Sequence, residues 1–296
     1  MANAMSSPSY KRTIIALAMV VLCSVSGAFS VIKIMPLGDS VTDGSHRGRY
    51  PGAYRIKLYE LCKEAGIDID FVGSKRNGPE SLPDKEHEGY IGMWSDCITK
   101  NTNEKEDINL KEKLDTFKPD ILLVLFGYND VGHGGSDNAT RVPSNLGAII
   151  DLAHAKLPAT HVIIGTLTST KESDWQSEFV AINKELPGMV NRKKAEGKKA
   201  YLADHFAATT LDDLADNVHP NAEGYAKIAK VWFDVIAEIA DHPVEAQRYD
   251  FSVRKHAGQP AKEGGAKVFY LNGRAAINSS TLLLRLSRTC KKIALK

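Results

Sequence analysis

Residues 120–126 read Asp-Ile-Leu-Leu-Val-Leu-Phe, a run with no polar position after its first residue. A strand with one face in water alternates apolar and polar side chains, whereas a strand that is apolar throughout needs cover on both faces. Parallel sheets packed between helices provide that cover. Pro119 closes the run on one side and Gly127 on the other, so it is too short for a buried helix. It is therefore expected to be the central strand of a parallel sheet.

The chain after residue 30 repeats this theme. Further strands are expected at residues 31–37, 69–72, 161–167 and 199–203. Helices are expected at 53–65, 108–117, 144–155, 174–196 and 220–240, the fourth with a break at Pro187-Gly188 and the last with Pro220 near its first turn. A polar stretch with glycines and prolines follows the second strand, at 73–92, and no strand or helix is assigned to it. Strand–helix units of this length, joined by right-handed crossovers, predict an α/β fold: a three-layer α/β/α sandwich around a five-stranded parallel sheet. Ligands in such sheets bind beyond the carboxyl ends of the strands.

Both termini differ from this body. Lys11 and Arg12 precede an apolar run at 13–23, followed by Ser26, Gly27 and Ala28. That order of charge, apolar run and small residues predicts a signal peptide over 1–28 and a secreted, extracellular protein. Residues 29–241 are expected to be the catalytic domain, and 242–296 a basic tail. The tail holds eleven Lys and Arg against three Asp and Glu, although the whole chain is only +2, so the body carries net negative charge. An acidic body argues against a nucleic-acid partner. Beyond the leader no stretch is apolar enough to span a bilayer, so no stable membrane association is expected, and the protein is taken as a monomer.

Once the leader is removed, Cys62, Cys97 and Cys290 remain, and an oxidising compartment permits a Cys62–Cys97 bridge. Asn138 and Asn278 match the short glycosylation pattern. His46, His87, His133 and His205 are scattered without metal-ligand spacing, so neither a metal nor another cofactor is expected.

Three segments carry chemistry: Gly38-Asp39-Ser40 after the first strand, Gly127-Tyr128-Asn129-Asp130 after the central strand, and Asp216-Asn217-Val218-His219-Pro220 before the last helix. Acyl transfer needs an activated hydroxyl, a base, a group that orients the base, and donors for an oxyanion. Ser40 fits the nucleophile and His219 the base. Asp216, three residues before His219, can reach its second ring nitrogen in a tight turn. Asn129 offers a neutral N–H donor. Asp39 and Asp130 are read as carboxylates that hydrogen-bond neighbouring backbone and keep the loops in place.

These segments resemble the signature of the SGNH (GDSL-like) hydrolase superfamily. His87-Glu88-Gly89-Tyr90-Ile91-Gly92-Met93-Trp94 is similar to a stretch of its carbohydrate esterase family 3 branch. The resemblance implies a flavodoxin-like sandwich and an oxyanion hole built from Ser40, Gly92 and Asn129, with Gly89 as the alternative to Gly92. It further implies an acetylxylan esterase-like activity on O-acetyl groups of a polysaccharide. A short-chain lipid or aryl esterase is the second reading, and an inactive carbohydrate-binding module the third. Trp94 and Tyr128 are expected to touch substrate, and together with Tyr90 to wall a pocket of acetyl size.

Overall fold

The computed structural model describes residues 31–100, 108–132 and 137–240, with two short strands at 269–271 and 274–276. The signal peptide expected at 1–28 lies outside the described residues, as do His133, Asn278, Cys290 and the greater part of 242–296. The chain divides into two compact units, Met1–Pro243 and Val244–Lys296. In the second, Phe269–Leu271 and Arg274–Ala276 form an antiparallel pair.

In the first unit the elements run β1 (Ile32–Gly38), α1 (Ser40–Asp43), α2 (Arg55–Glu64), β2 (Ile69–Phe71), β3 (Lys75–Arg76), β4 (Glu86–Gly89), α3 (Cys97–Lys100), α4 (Leu110–Phe117), β5 (Ile121–Leu125), α5 (Tyr128–Gly132), α6 (Asn138–Lys156), β6 (His161–Gly165), α7 (Ser173–Ala195), β7 (Ala200–Ala203), α8 (His205–Ala208) and α9 (Ala222–Ile239). The sheet order is β3-β4-β1-β5-β6-β7, and β2 also pairs with β1. Within this sheet, among the described residues, only β3 and β4 pair antiparallel.

The sheet therefore has seven strands, not five. The extra strands, β3 and β4, come from the polar stretch 73–92, to which the sequence pattern assigns no element. β2 pairs with β1 at Ile32–Ile34, and β4 pairs with it farther along, at Leu37 and Gly38. One edge of β1 is thus served by two short segments in succession. Between them the chain turns through β3. Short polar segments of this kind carry no alternating pattern to announce them.

Every residue of β5 is buried, as its composition requires. Helices α2 and α9 pack together as one layer, and α4, α6 and α7 as the other. Helix α7 runs unbroken through Pro187-Gly188, so the expected interruption is absent. Proline 143 likewise sits inside α6, which begins six residues earlier than its apolar spacing suggests. Helix α9 starts at Ala222, where the side chain of Asn221 accepts the Gly224 N–H at 2.9 Å. Asn221, not Pro220, sets its start.

Two modification readings change. Cys62 is a free thiol buried in the core and Cys97 is a free, half-buried one, so the bridge is not formed. Burial pushes the Cys62 thiol up to about 12. Asn138 is buried at the start of α6, where its amide donates to Glu178 and accepts from Arg141. A side chain committed in that way is not an accessible glycosylation acceptor. Among the described residues no helix is long and apolar enough to cross a membrane.

Candidate active site

The carboxyl ends of β1 and β5 deliver two of the chemical segments to one edge of the sheet. Strand β1 ends at Gly38, and the Asp39 side chain caps α1 by accepting the Val41 N–H at 3.0 Å. Asp39 is fully buried. Desolvation, opposed by that hydrogen bond and reinforced by the charge of Asp130, pushes its carboxyl up to about 8. Ser40 opens α1 and is 5% exposed.

The third segment is a loop closed at its neck. The Ala215 N–H donates to the His219 carbonyl and the Asn221 N–H to the Asp213 carbonyl, each at 2.8 Å. Inside the loop, Asp216 Oδ1 accepts the backbone N–H groups of Val218 at 2.9 Å and His219 at 2.8 Å. This is an Asx-type turn, the local geometry that lets an aspartate fold the chain back on itself. It brings both Asp216 oxygens within 3.1 Å of His219 Nδ1. The far ring nitrogen, Nε2, lies 2.9 Å from Ser40 Oγ. Ser40, His219 and Asp216 thus form one connected line, as the spacing predicts.

Asn129 stands on α5, which follows β5, and donates Nδ2 to the Met93 carbonyl at 3.1 Å. Asp130 ties the same two loops together, accepting the Ser95 N–H at 2.9 Å and the Ser95 hydroxyl at 2.8 Å. Arg141 Nη1 adds an ion pair to Asp130 at 3.3 Å. Gly92 lies in the exposed turn between Tyr90 and Met93 with φ of 78°, in the left-handed region that favours glycine. Gly89, the alternative to Gly92, has already given its N–H to His87 Nδ1 at 3.0 Å in a buried contact.

The expected aromatic wall is not there. Tyr128 is 3% exposed, its hydroxyl accepts the Thr168 N–H at 3.0 Å, and its ring meets Phe179 edge-on. Tyr90 is buried too, and its hydroxyl donates to Glu88. Both phenols are drawn inward by buried partners, so neither lines a substrate pocket. Trp94 remains half-buried at the surface, with the Arg141 guanidinium over its ring at 5.9 Å.

Sequence reasoning missed His46 and Arg49. His46 stacks on His219 with ring centroids 4.2 Å apart and planes 12° from parallel. Arg49 reaches the Ala215 carbonyl at 3.3 Å and Asp216 Oδ2 at 3.5 Å. Nothing in hydrophobic spacing marks either residue; the glycines at 44 and 48 were the available sign that this segment turns back. Ligand atoms of His46, Asp216 and His219 come within 4.8 Å of one another, so the histidines are not all scattered. Parallel stacked rings, however, hold their in-plane lone pairs side by side, and one ion needs lone pairs that converge. Ring stacking, not chelation, describes this pair.

The chain is similar to known proteins in sequence and fold. The sequence matches the GDSL-like lipase/acylhydrolase family over residues 37–227. The chain belongs to that family. It has the sandwich fold of that family. A family 3 carbohydrate esterase from Clostridium thermocellum superposes with a TM-score of 0.61 at 32% identity, covering 72% of this chain and 98% of that one. An acetyl esterase mutant with acetate ion gives a TM-score of 0.60 at 27% identity over 71% of this chain and 99% of that one. A multidomain esterase of Ruminococcus flavefaciens is 29% identical over 244 residues, which is 75% of this chain. This chain spans only 31% of that esterase's length.

Proposed function

We propose that this hydrolase removes acetyl groups from an O-acetylated polysaccharide such as xylan, through an acyl-enzyme on Ser40. The observation that carries the mechanism is the line from Ser40 Oγ to His219 Nε2 at 2.9 Å and from His219 Nδ1 to Asp216 at 3.1 Å. The polysaccharide reading is supported by the likeness to a family 3 carbohydrate esterase, and the acetyl reading by the likeness to an acetyl esterase.

In the first half-reaction the Ser40 hydroxyl proton passes to His219 Nε2 as Oγ bonds to the ester carbonyl carbon. Asp216 fixes the tautomer with the proton on Nδ1 and faces the imidazolium that forms. The carbonyl oxygen, now carrying the electron pair, is met by the Asn129 amide and the backbone N–H groups of Ser40 and Gly92. The bond to the sugar oxygen then breaks, and that oxygen takes the proton from His219. In the second half-reaction water loses a proton to His219 and attacks the acetyl carbon. Acetate leaves, and Ser40 regains its proton.

The charged, apolar, then small-residue order at residues 11–28 supports export, which would place the enzyme with extracellular polysaccharide. The test is acetate release from acetylxylan, set beside turnover of p-nitrophenyl esters from acetyl to dodecanoyl. Release of acetate with acetyl as the favoured chain is the expected result. Preference for octanoyl esters with no acetate released from the polymer would overturn the substrate and leave a lipid esterase.

A further inference from the structure

We propose that His46 is a positioning residue for the general base, its ring a backstop that keeps the His219 imidazole in line with Ser40 and Asp216. The inference rests on the reading of His219 as base and extends it. The His219 ring is fixed by contacts at its two nitrogens, Nε2 to Ser40 and Nδ1 to Asp216. Both lie in the ring plane. Rotation of the ring out of that plane breaks both contacts, and nothing in the Ser40–His219–Asp216 line resists it from the side. His46 covers one face at 4.2 Å, nearly parallel.

The loop that carries His46 is braced. Asp43, at the end of α1, accepts the Ser45 N–H at 2.9 Å and receives the Asn77 amide at 3.0 Å. The Gly48 N–H donates to the Ser45 carbonyl at 2.7 Å, and the Tyr50 N–H to the Gly44 carbonyl at 3.0 Å. At Gly44, with φ of 79°, a Cβ would fall 2.2 Å from the Tyr50 carbonyl oxygen, so the loop folds back as tightly as a backbone can. Arg47 is held at φ of 53°, an uncommon value for a side-chain-bearing residue. Arg49, from the same loop, grips the Ala215 carbonyl and Asp216. One segment thus presents the nucleophile at its start and clamps the base loop twice farther on, by ring face at His46 and by hydrogen bonds at Arg49.

Stacking serves the chemistry only while His46 is neutral, because a cation against the imidazolium of His219 would oppose proton uptake. Desolvation by burial, the charge of His219 and the charges of Arg47 and Arg49 all lower the His46 pKa, while Asp216 opposes them. Those groups, from its own loop and from the loop before α9, are the charges that face it.

The experiment compares full-length wild type, His46→Ala, His46→Phe and Ser40→Ala on p-nitrophenyl acetate across the pH range. His46→Ala should lose about tenfold in kcat with KM little changed, the size expected for a mispositioned reacting group. His46→Phe, which keeps a flat ring and cannot titrate, should recover kcat to within about threefold of wild type. In wild type, protonation of His46 should add a second ionisation to the acid limb, and His46→Phe should show one. Unchanged kcat in His46→Ala, or equal damage in both variants, would overturn the role of the ring. Activity surviving in Ser40→Ala would instead remove the nucleophile reading, whatever the His46 variants do.

Discussion

The Asp216 carboxylate holds His219 at two places, accepting its backbone N–H at 2.8 Å and facing its ring Nδ1 at 3.1 Å. Desolvation would raise the Asp216 pKa. The backbone N–H groups of His219 and Val218, with the charge of His219, outweigh it and hold the carboxyl down to about 2. Because the folded value is depressed, the stability this group contributes is present at neutral pH and lost only as pH falls through that value. Asp216 is therefore ionised wherever the enzyme works, and it adds no step to the pH–rate profile.

Substitutions in this pair should rank accordingly. His219→Ala should be nearly inactive. Asp216→Ala should keep more activity, because water or a carbonyl can still orient the ring in part, and its loss should fall on kcat more than on KM. Steady-state kinetics of both variants check this. An Asp216→Ala enzyme more damaged than His219→Ala would reverse the two roles.

Ser40→Ala should abolish ester hydrolysis and leave the melting temperature near that of wild type, since the hydroxyl makes its contact with His219 and not with the core. A fluorophosphonate should label one serine in the wild type, and peptide mass analysis should find it at residue 40. Stoichiometric labelling elsewhere would move the nucleophile.

Much of this was legible in the sequence, for a local reason. The run at 120–126 fixes a strand covered on both faces, and the three-residue spacing of Asp216 and His219 is the spacing of an Asx-type turn. What escaped depends on contacts between distant segments. His46 meets His219 across 173 residues of chain, and no periodicity reports that. Tyr128 lies one residue from Asn129, yet α5 turns the phenol to Thr168 and Phe179 while the Asn129 amide meets the Met93 carbonyl. Nearness in sequence to a functional residue says nothing about which way a neighbouring ring points. The split edge of β1 was hidden because β3 and β4 are too short and polar to stand out.

Asn129 should behave as an oxyanion donor. One of its amide hydrogens is committed to the Met93 carbonyl, which fixes the side chain and leaves the other free to meet a developing charge. Asn129→Ala should lower kcat by about a hundredfold or more with a smaller change in KM. Asp130, by contrast, braces the loop through Ser95 and Arg141, so Asp130→Asn should register in the melting temperature as well as in rate. A kinetically silent Asn129→Ala would leave Gly92 and Ser40 as the oxyanion donors.

Buried ionisable groups set a stability profile with a maximum between acid and neutral pH. Burial holds His205 neutral down to about 3. Burial, with the charges of Arg55 and Lys75, holds His87 neutral down to about 2. An unfolded chain protonates both near the ordinary histidine value of about 6.5, so below that pH the unfolded state binds more protons and stability falls as pH drops. Asp39 acts in the opposite sense. Its pKa is raised to about 8, so between the ordinary aspartate value of about 4 and that pH the folded state holds a proton the unfolded chain has lost. Stability from Asp39 therefore falls as pH rises through that interval. Each group changes the unfolding free energy by about 1.4 kcal/mol per pH unit while its proton count differs by one. Neither ring nitrogen of His205 has a hydrogen-bond partner, and its ring meets Trp232 edge-on. His205→Leu should therefore flatten the acid side of the profile while leaving the neutral side in place. Asp39→Asn keeps an oxygen for the Val41 N–H and cannot ionise, so it should flatten the decline toward pH 8. Urea unfolding of wild type and both variants, at a series of pH values, reads the slopes directly. An acid limb unchanged by His205→Leu would mean that this histidine is already protonated in the folded protein, and that its burial is relieved by solvent.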